Sequence, residues 1–171
     1  MTFKEKHFGP IWFIPGDNKG RYPFCHSIYI EGPGILIDPA SNRERLKELK
    51  RDPGVKTIWL SHWHEDHFMH LDLFDELPFM VSREDTATLS DLERFLDGYG
   101  IEPEARDEWR TLAKDIFHFH PRKPHAFLPL GSSLSFESIQ VELLAAPGHT
   151  PGSVALRFPD QNSLYLADYD L

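Results

Sequence analysis

Residues 57–67 read Thr-Ile-Trp-Leu-Ser-His-Trp-His-Glu-Asp-His. The first five are mostly β-branched or apolar and predict a buried strand over Thr57–Ser61. Directly at its end come His62, His64, Asp66 and His67, and strand ends are where open α/β sheets collect ligands. His62 and His64, two apart in an extended segment, project to the same side. Asp66 and His67 are adjacent, so in a turn they can aim at a second point nearby. Nitrogen and oxygen donors without sulfur suit Zn, Mn or Fe.

The flanking sequence predicts the scaffold. Ile11–Ile14, Ser27–Glu31 and Gly34–Asp38 read as short strands, with Gly32-Pro33-Gly34 as a hairpin turn. Asn42 is placed to cap a helix over Arg43–Arg51, with Leu46 and Leu49 on one face and Asp52-Pro53-Gly54 stopping it. Strand, helix, strand in that order gives an α/β layered fold. Residues 83–117 change character. Glu84–Asp97 carries Leu89, Leu92, Phe95 and Leu96 at helical spacing, and Pro103 opens a second helix through Ile116. The tail returns to strands at Ser133–Phe136, Ile139–Ala145, Ser153–Phe158 and Ser163–Ala167, with turns at Glu137-Ser138 and Asp160–Asn162. The 171 residues are room for one domain, 1–171, in which 83–117 is a helical insert.

Charge and cysteine use narrow the function. With 27 acidic against 18 basic residues the formal charge is -9, which disfavours a nucleic-acid backbone or an anionic membrane as partner. No apolar run approaches the roughly 20 residues that span a bilayer. The start, MTFKEKHFGP, lacks the apolar centre of a secretory signal. Cys25 is the sole cysteine, so a disulfide framework and a cysteine-based zinc site are excluded, and a cytoplasmic compartment is expected. Histidine, at 10 residues, is in excess and points to metal.

Two further segments carry chemistry. In Ala146-Pro147-Gly148-His149-Thr150-Pro151-Gly152 two Pro-Gly turn signals bracket one histidine. Gly148 is expected to let the backbone approach a metal, and the prolines to stiffen the loop. In Leu164-Tyr165-Leu166-Ala167-Asp168 an acid ends an apolar strand. His62-x-His64-x-Asp66-His67, the Pro147–Gly152 segment and Ala167-Asp168, in that order, resemble the metallo-β-lactamase superfamily of metal-dependent hydrolases. The Gly34–Asp38 strand is similar to that family's early strand ending in Asp. The resemblance implies a four-layer αβ/βα sandwich with metals at one edge of two facing sheets. It implies that His62, His64 and His149 hold one metal, that Asp66 and His67 hold a second, and that Asp168 bridges them. Asp66 would also orient the nucleophile or carry its proton. Ser61, Thr150 and Asp38 are candidates for holding the imidazoles in place. The cofactor implied is Zn, one or two ions, with Fe or Mn as alternatives.

Members of that superfamily continue past the bridging Asp and supply a final His ligand, whereas this chain ends three residues after Asp168. The expectation is therefore a piece of a longer protein, lacking the closing strands of its second half. His118, His120 and His125 read as a polar connection after the insert rather than replacement ligands, and His70 as part of the helix after the motif. Trp63 either lines the pocket or packs on the insert. The insert itself is expected to pack, with a cover over the pocket or a homodimer surface as alternatives. The leading functional expectation is hydrolysis of a small-molecule ester, thioester, lactone or phosphoester. The alternatives are a mononuclear iron oxygenase acting on thiols and a non-catalytic truncated remnant that binds metal.

Overall fold

The computed structural model describes residues 4–168. Seven strands lie side by side in sequence order: β1 (Lys6–Phe8), β2 (Ile11–Ile14), β3 (Ser27–Ile30), β4 (Ile35–Ile37), β5 (Thr57–Trp59), β6 (Phe79–Val81) and β7 (Ala126–Phe127). From β1 to β4 each strand is antiparallel to the next, and β4 to β7 are parallel. The change follows the connections. A tight turn with Gly32 at φ +92° and Gly34 at φ +71° joins β3 to β4, whereas a helix joins β4 to β5, as a parallel pair requires. The second sheet is fully antiparallel, in the order β11 (Ser163–Tyr165), β10 (Val154–Phe158), β9 (Ile139–Ala145), β8 (Ser133–Phe136).

Period-2 alternation divides the first sheet between two cores. Ile28, Ile30, Ile35, Ile37 and Trp59 face the second sheet and meet Ile139, Val141, Leu143, Val154, Leu156 and Phe158. Their neighbours Tyr29, Leu36, Ile58 and Leu60 face the helices. Those are α1 (Arg43–Leu49), α2 (Glu65–Phe68), α3 (Thr86–Ser90), α4 (Leu92–Gly98) and α5 (Arg106–Asp115). The Asn42 side chain accepts from Arg45 N at the start of α1, and Leu46 and Leu49 are fully buried beneath it. Truncating either to Ala would cost roughly 2–5 kcal/mol. The buried apolar residues of all five helices lie in the same core against the first sheet. The outer face of the second sheet carries Ser133, Ser135, Glu142, Arg157 and the exposed Leu164, and among the described residues no helix covers it.

The structure corrects several expected boundaries. Glu84–Asp97 is two helices, because Asp91 leaves the helix at φ -157° and its carboxylate accepts from Glu93 N and Arg94 N to cap α4. The second helix of the insert begins with a 3-10 turn at Pro103–Ala105 and ends at Asp115. β1, β6 and β7 have two or three residues each, too short for periodicity to show. Trp63 is buried, edge-on to Phe95 and Tyr99, so it packs on the insert. No helix among the described residues is long and apolar enough to cross a membrane.

Candidate metal centre

One backbone bond sets the site: Val154 N, at the start of β10, donates to Ser61 O just past β5 (2.9 Å). It joins the two sheets at one edge and brings the 146–153 loop beside the 61–64 segment. His62, His64 and His149 therefore converge, with ligand nitrogens all within 4.8 Å of one another. His149 Nε2 is 2.8 Å from His64 Nδ1, and the three rings stand nearly perpendicular, at 79°, 84° and 80°.

Hydrogen bonding fixes one tautomer. Ser61 Oγ donates to Asp38 Oδ2 (2.6 Å), so toward His62 Nδ1 (3.0 Å) it accepts. The His62 proton then sits on Nδ1, and Nε2 keeps its lone pair. That Nε2 is buried with no hydrogen-bond partner among the described residues. An orphaned buried acceptor in a ring of imidazoles fits a cation. Burial first, then the neighbouring imidazoles, pushes the His62 pKa far below its ordinary value and that of His64 down to about 4. Both rings are neutral at physiological pH, the form that ligates metal.

A second group forms from His62, His67 and Asp168. His67, 1% exposed, has Nε2 3.2 Å from Asp168 Oδ1 and Nδ1 2.9 Å from Asp38 Oδ2. Asp168 Oδ2 lies 3.6 Å from His149 Nε2, so this carboxylate stands between the two groups. Burial opposes charge on His67, but the Asp38 and Asp168 carboxylates override it and raise the pKa well above the ordinary value. A proton and a metal ion are alternative cations for the space between His67 Nε2 and Asp168. Asp66 is half-buried on α2, within electrostatic reach of His67 and Asp168, yet its carboxylate belongs to neither group.

Asp38 is the hub behind the site. Fully buried, with φ +52°, it takes Ser61 N (2.7 Å) on Oδ1 and Ser61 Oγ, His67 Nδ1 and Tyr165 OH (2.5 Å) on Oδ2. A non-glycine residue held in the left-handed region at a site is strain the surroundings must over-determine, and four donors do so. Tyr165 was not among the sequence candidates. Nor were Glu65 and its partners: Tyr22 OH (2.9 Å) and Tyr99 OH both donate to the buried Glu65 carboxylate. Tyr99 also stacks on His64, with centroids 5.0 Å apart at 22°, so the insert both packs and walls the site. Among the described residues Thr150 makes no hydrogen bond to an imidazole; its hydroxyl donates to Asp85 Oδ2 (2.7 Å). At Gly148 φ is +154°, a conformation that favours glycine, and a Cβ there would meet no protein atom within 4 Å.

The family model described as "Metallo-beta-lactamase superfamily" matches residues 20–171. The chain belongs to the metallo-beta-lactamase superfamily. It is 30% identical over 173 residues to "Probable metallo-hydrolase M6_Spy0554" of Streptococcus pyogenes serotype M6, covering 98% of this chain and 67% of that relative. An uncharacterised protein of Aquifex aeolicus is 28% identical over 129 residues, or 73% of this chain and 54% of its own length. Among solved structures, the BLEG-1 B3 metallo-beta-lactamase superposes with TM-score 0.62 at 21% identity, over 91% of this chain and 70% of that one. The native FEZ-1 metallo-beta-lactamase of Legionella gormanii gives TM-score 0.60 at 18% identity, over 95% and 61%. The chain thus spans about half to two thirds of these proteins' lengths.

Within this superfamily the fold class expected from the sequence is the one found. The described residues make three layers of the αβ/βα sandwich: helices, seven-stranded sheet and four-stranded sheet. Superfamily members are metal-dependent hydrolases, and the clustered His and Asp side chains fit a divalent metal.

A third His/Asp group has the same residue types and a different fate. His70, Asp72 and His118 also converge within 4.8 Å. Here the Arg43 guanidinium makes a two-pronged bond to Asp72 (2.9 and 2.5 Å) and lies 3.3 Å from His70 Nδ1, so the protein supplies its own cation. His70 caps a 3-10 turn rather than lying within the helix of the motif. His118 meets Met69 O, His120 meets Asp75, and His125 accepts from Phe79 N, none of them in the superfamily motifs.

Proposed function

We propose that this chain is the metal-binding part of a hydrolase acting on a small-molecule ester, thioester, lactone or phosphoester. His62, His64 and His149 would hold one divalent ion and His67 a second, with Asp168 between them. Asp66, outside both groups as placed, would join the second by turning its side chain on α2. Zn is the first choice, and Fe or Mn are the alternatives. The observation that carries this reading is the three-imidazole group in which His62 Nε2 is buried with no hydrogen-bond partner among the described residues. When bound, a divalent ion supplies Lewis acidity, lowering the pKa of a water and polarising the attacked oxygen.

The chain's own residues set the rest. By accepting the His67 Nδ1 proton, Asp38 turns the Nε2 of that ring toward Asp168. Ser61 does the same for His62. His62 and His67 are almost wholly buried, whereas the side chains of His149 and Asp168 are 31% and 41% exposed, so substrate would approach on that side. Asp66, whose carboxyl burial holds above its ordinary range, is the group assigned to carry the nucleophile's proton. We place the protein in the cytoplasm, where Cys25 persists as a buried free thiol.

The test is metal analysis of the full-length protein together with turnover of ester, thioester, lactone and phosphodiester surrogates before chelation, after it, and after metal is restored. Bound metal and chelator-sensitive hydrolysis are expected. A protein with no metal and no metal-restored turnover would sink the reading, and iron with oxygen uptake in place of hydrolysis would redirect it to oxygenase chemistry.

A further inference from the structure

We infer that Asp85 is a positioning residue that sets His149 against His62 and His64, an inference that rests on the metal centre proposed above. Asp85 lies just before α3, outside the three motifs, and is 1% exposed. Its Oδ2 accepts from Thr150 Oγ1 (2.7 Å) and its Oδ1 from Gly152 N (2.8 Å), and the Trp63 backbone lies close enough to favour the charged carboxylate. Trp63 sits between His62 and His64, and Thr150 directly follows His149. One buried carboxylate therefore ties together the two loops at one residue's remove from all three imidazoles.

The geometry leaves that carboxylate little freedom. Thr150 Oγ1, having donated to Asp85, lies 2.9 Å from Ser153 Oγ, which also accepts from Thr150 N (3.0 Å). A Cβ on Gly152 would collide with Ser82 Oγ and the Asp85 carboxylate, so the loop reaches this acceptor only because residue 152 is glycine. The other ties of the loop, Val154 N to Ser61 O and Ala146 N to Ser153 O, lie at its base. Nearer its tip, Gly148 N to Thr150 O and Ser153 N to Thr150 O (3.4 Å) brace the backbone, both bonds within the loop itself. Among the described residues, and apart from the His149 ring itself, the hydrogen bonds from the tip to the rest of the protein run through Asp85. Partners that orient ligands in this indirect way typically govern metal affinity by about 10–100-fold.

The experiment uses the full chain with Zn(II) and Co(II) as probes. Zn affinity is read by competition with a chromophoric chelator, and the ligand field by the visible Co(II) spectrum. In Asp85→Asn an amide faces donors that need an acceptor. Zn affinity is expected to fall about 10–100-fold with displaced Co(II) bands. Leu89→Ala, a core truncation on α3, controls for stability: Tm should drop while Zn affinity stays within about twofold, as for an independent site. Unchanged affinity and spectrum in Asp85→Asn would overturn the inference, as would equal losses in Asp85→Asn and Leu89→Ala. Should Asp85→Asn not fold, Thr150→Val removes one of the same bonds, and unaltered Zn affinity there overturns the inference equally. Wild type that binds no Zn overturns the metal centre and this inference together; Zn on the wild type with an indifferent Asp85→Asn overturns this inference alone.

Discussion

Two clusters of this protein use the same side chains to opposite ends. At the edge of the two sheets, His62, His64 and His149 converge, with the His62 Nε2 lone pair buried. Behind α2, His70, Asp72 and His118 converge as closely, but Arg43 fills the place of a cation. Donor type and proximity are thus shared, and the difference lies in what already balances the donors. The buried His62 Nε2 has no hydrogen-bond partner among the described residues, whereas Asp72 has a forked guanidinium. Burial acts on both alike: it draws His70, with Arg43 adding to it, down to about 4, the same as His64. Neutral histidine alone therefore does not mark a metal site.

The comparison breaks most decisively at the first cluster. His62→Ala should cost Zn affinity more than the roughly 100-fold limit for an orienting partner, which is above about 2.7 kcal/mol by competition titration. His70→Ala in the second cluster should leave Zn stoichiometry unchanged; a loss of one ion there would make both clusters metal sites. Next in size, Asp38→Asn deprives buried donors from Ser61, His67 and Tyr165 of their carboxylate, and should cost roughly 2–3 kcal/mol of stability in denaturant unfolding. A loss under about 0.5 kcal/mol would show that the Asp38 hub is dispensable.

Arg43→Met sharpens the contrast further. Removing the guanidinium leaves Asp72 uncompensated and should cost about 1–2 kcal/mol. The variant should also gain Zn-dependent stabilisation that wild type lacks at this position, read as an extra rise in Tm with Zn in a His62→Ala background. No extra rise would mean that geometry, not Arg43, excludes the ion. The smallest effect concerns pH. Burial raises the Asp72 pKa, and its bonds to Arg43 outweigh that to hold it below the ordinary carboxylate value. Its contribution is then fully present above about pH 4 and is lost as pH falls through the lower folded value. With the pair partly exposed, the stability gap between wild type and Asp72→Asn should be about 1 kcal/mol at pH 7 and shrink toward pH 3. A gap that widens in acid would reverse the sign assigned here.

Much of the fold could be read along the chain because local physics decided it. Asn42 caps α1 as expected, β8 and β9 have the expected ends, and alternation in β3 and β4 assigns each apolar residue to one of two cores. Where local signals competed, the reading slipped. Asp91 sits inside a helical apolar pattern, and its carboxylate takes the next helix's amides instead of continuing the turn. At the centre, Asp38 and Ser61 were legible from their place beside strands and motifs, whereas Thr150, expected to hold an imidazole, bonds Asp85 instead. Tyr165, Glu65, Tyr99 and Asp85 were not, since each reaches its partner across the fold: Tyr165 is 127 residues from Asp38, and Asp85 is 65 from Thr150. The single signal for Asp85 was an acid in an otherwise ordinary Ser-Arg-Glu-Asp turn.

By itself the sequence determined the chemistry available at one strand end, because His62, His64, Asp66 and His67 are neighbours along the chain and need only an extended segment and a turn to be presented. Only tertiary structure decided which atoms meet. Pinning β10 to Ser61 carries His149 across 85 residues to 2.8 Å from His64, and the Ser61–Asp38 bond selects the nitrogen on which His62 keeps its lone pair. A spacing can encode which ligands a strand end offers. Which lone pairs stay empty, and which carboxylate already has its cation, depends on partners brought together by packing the two sheets and the helices.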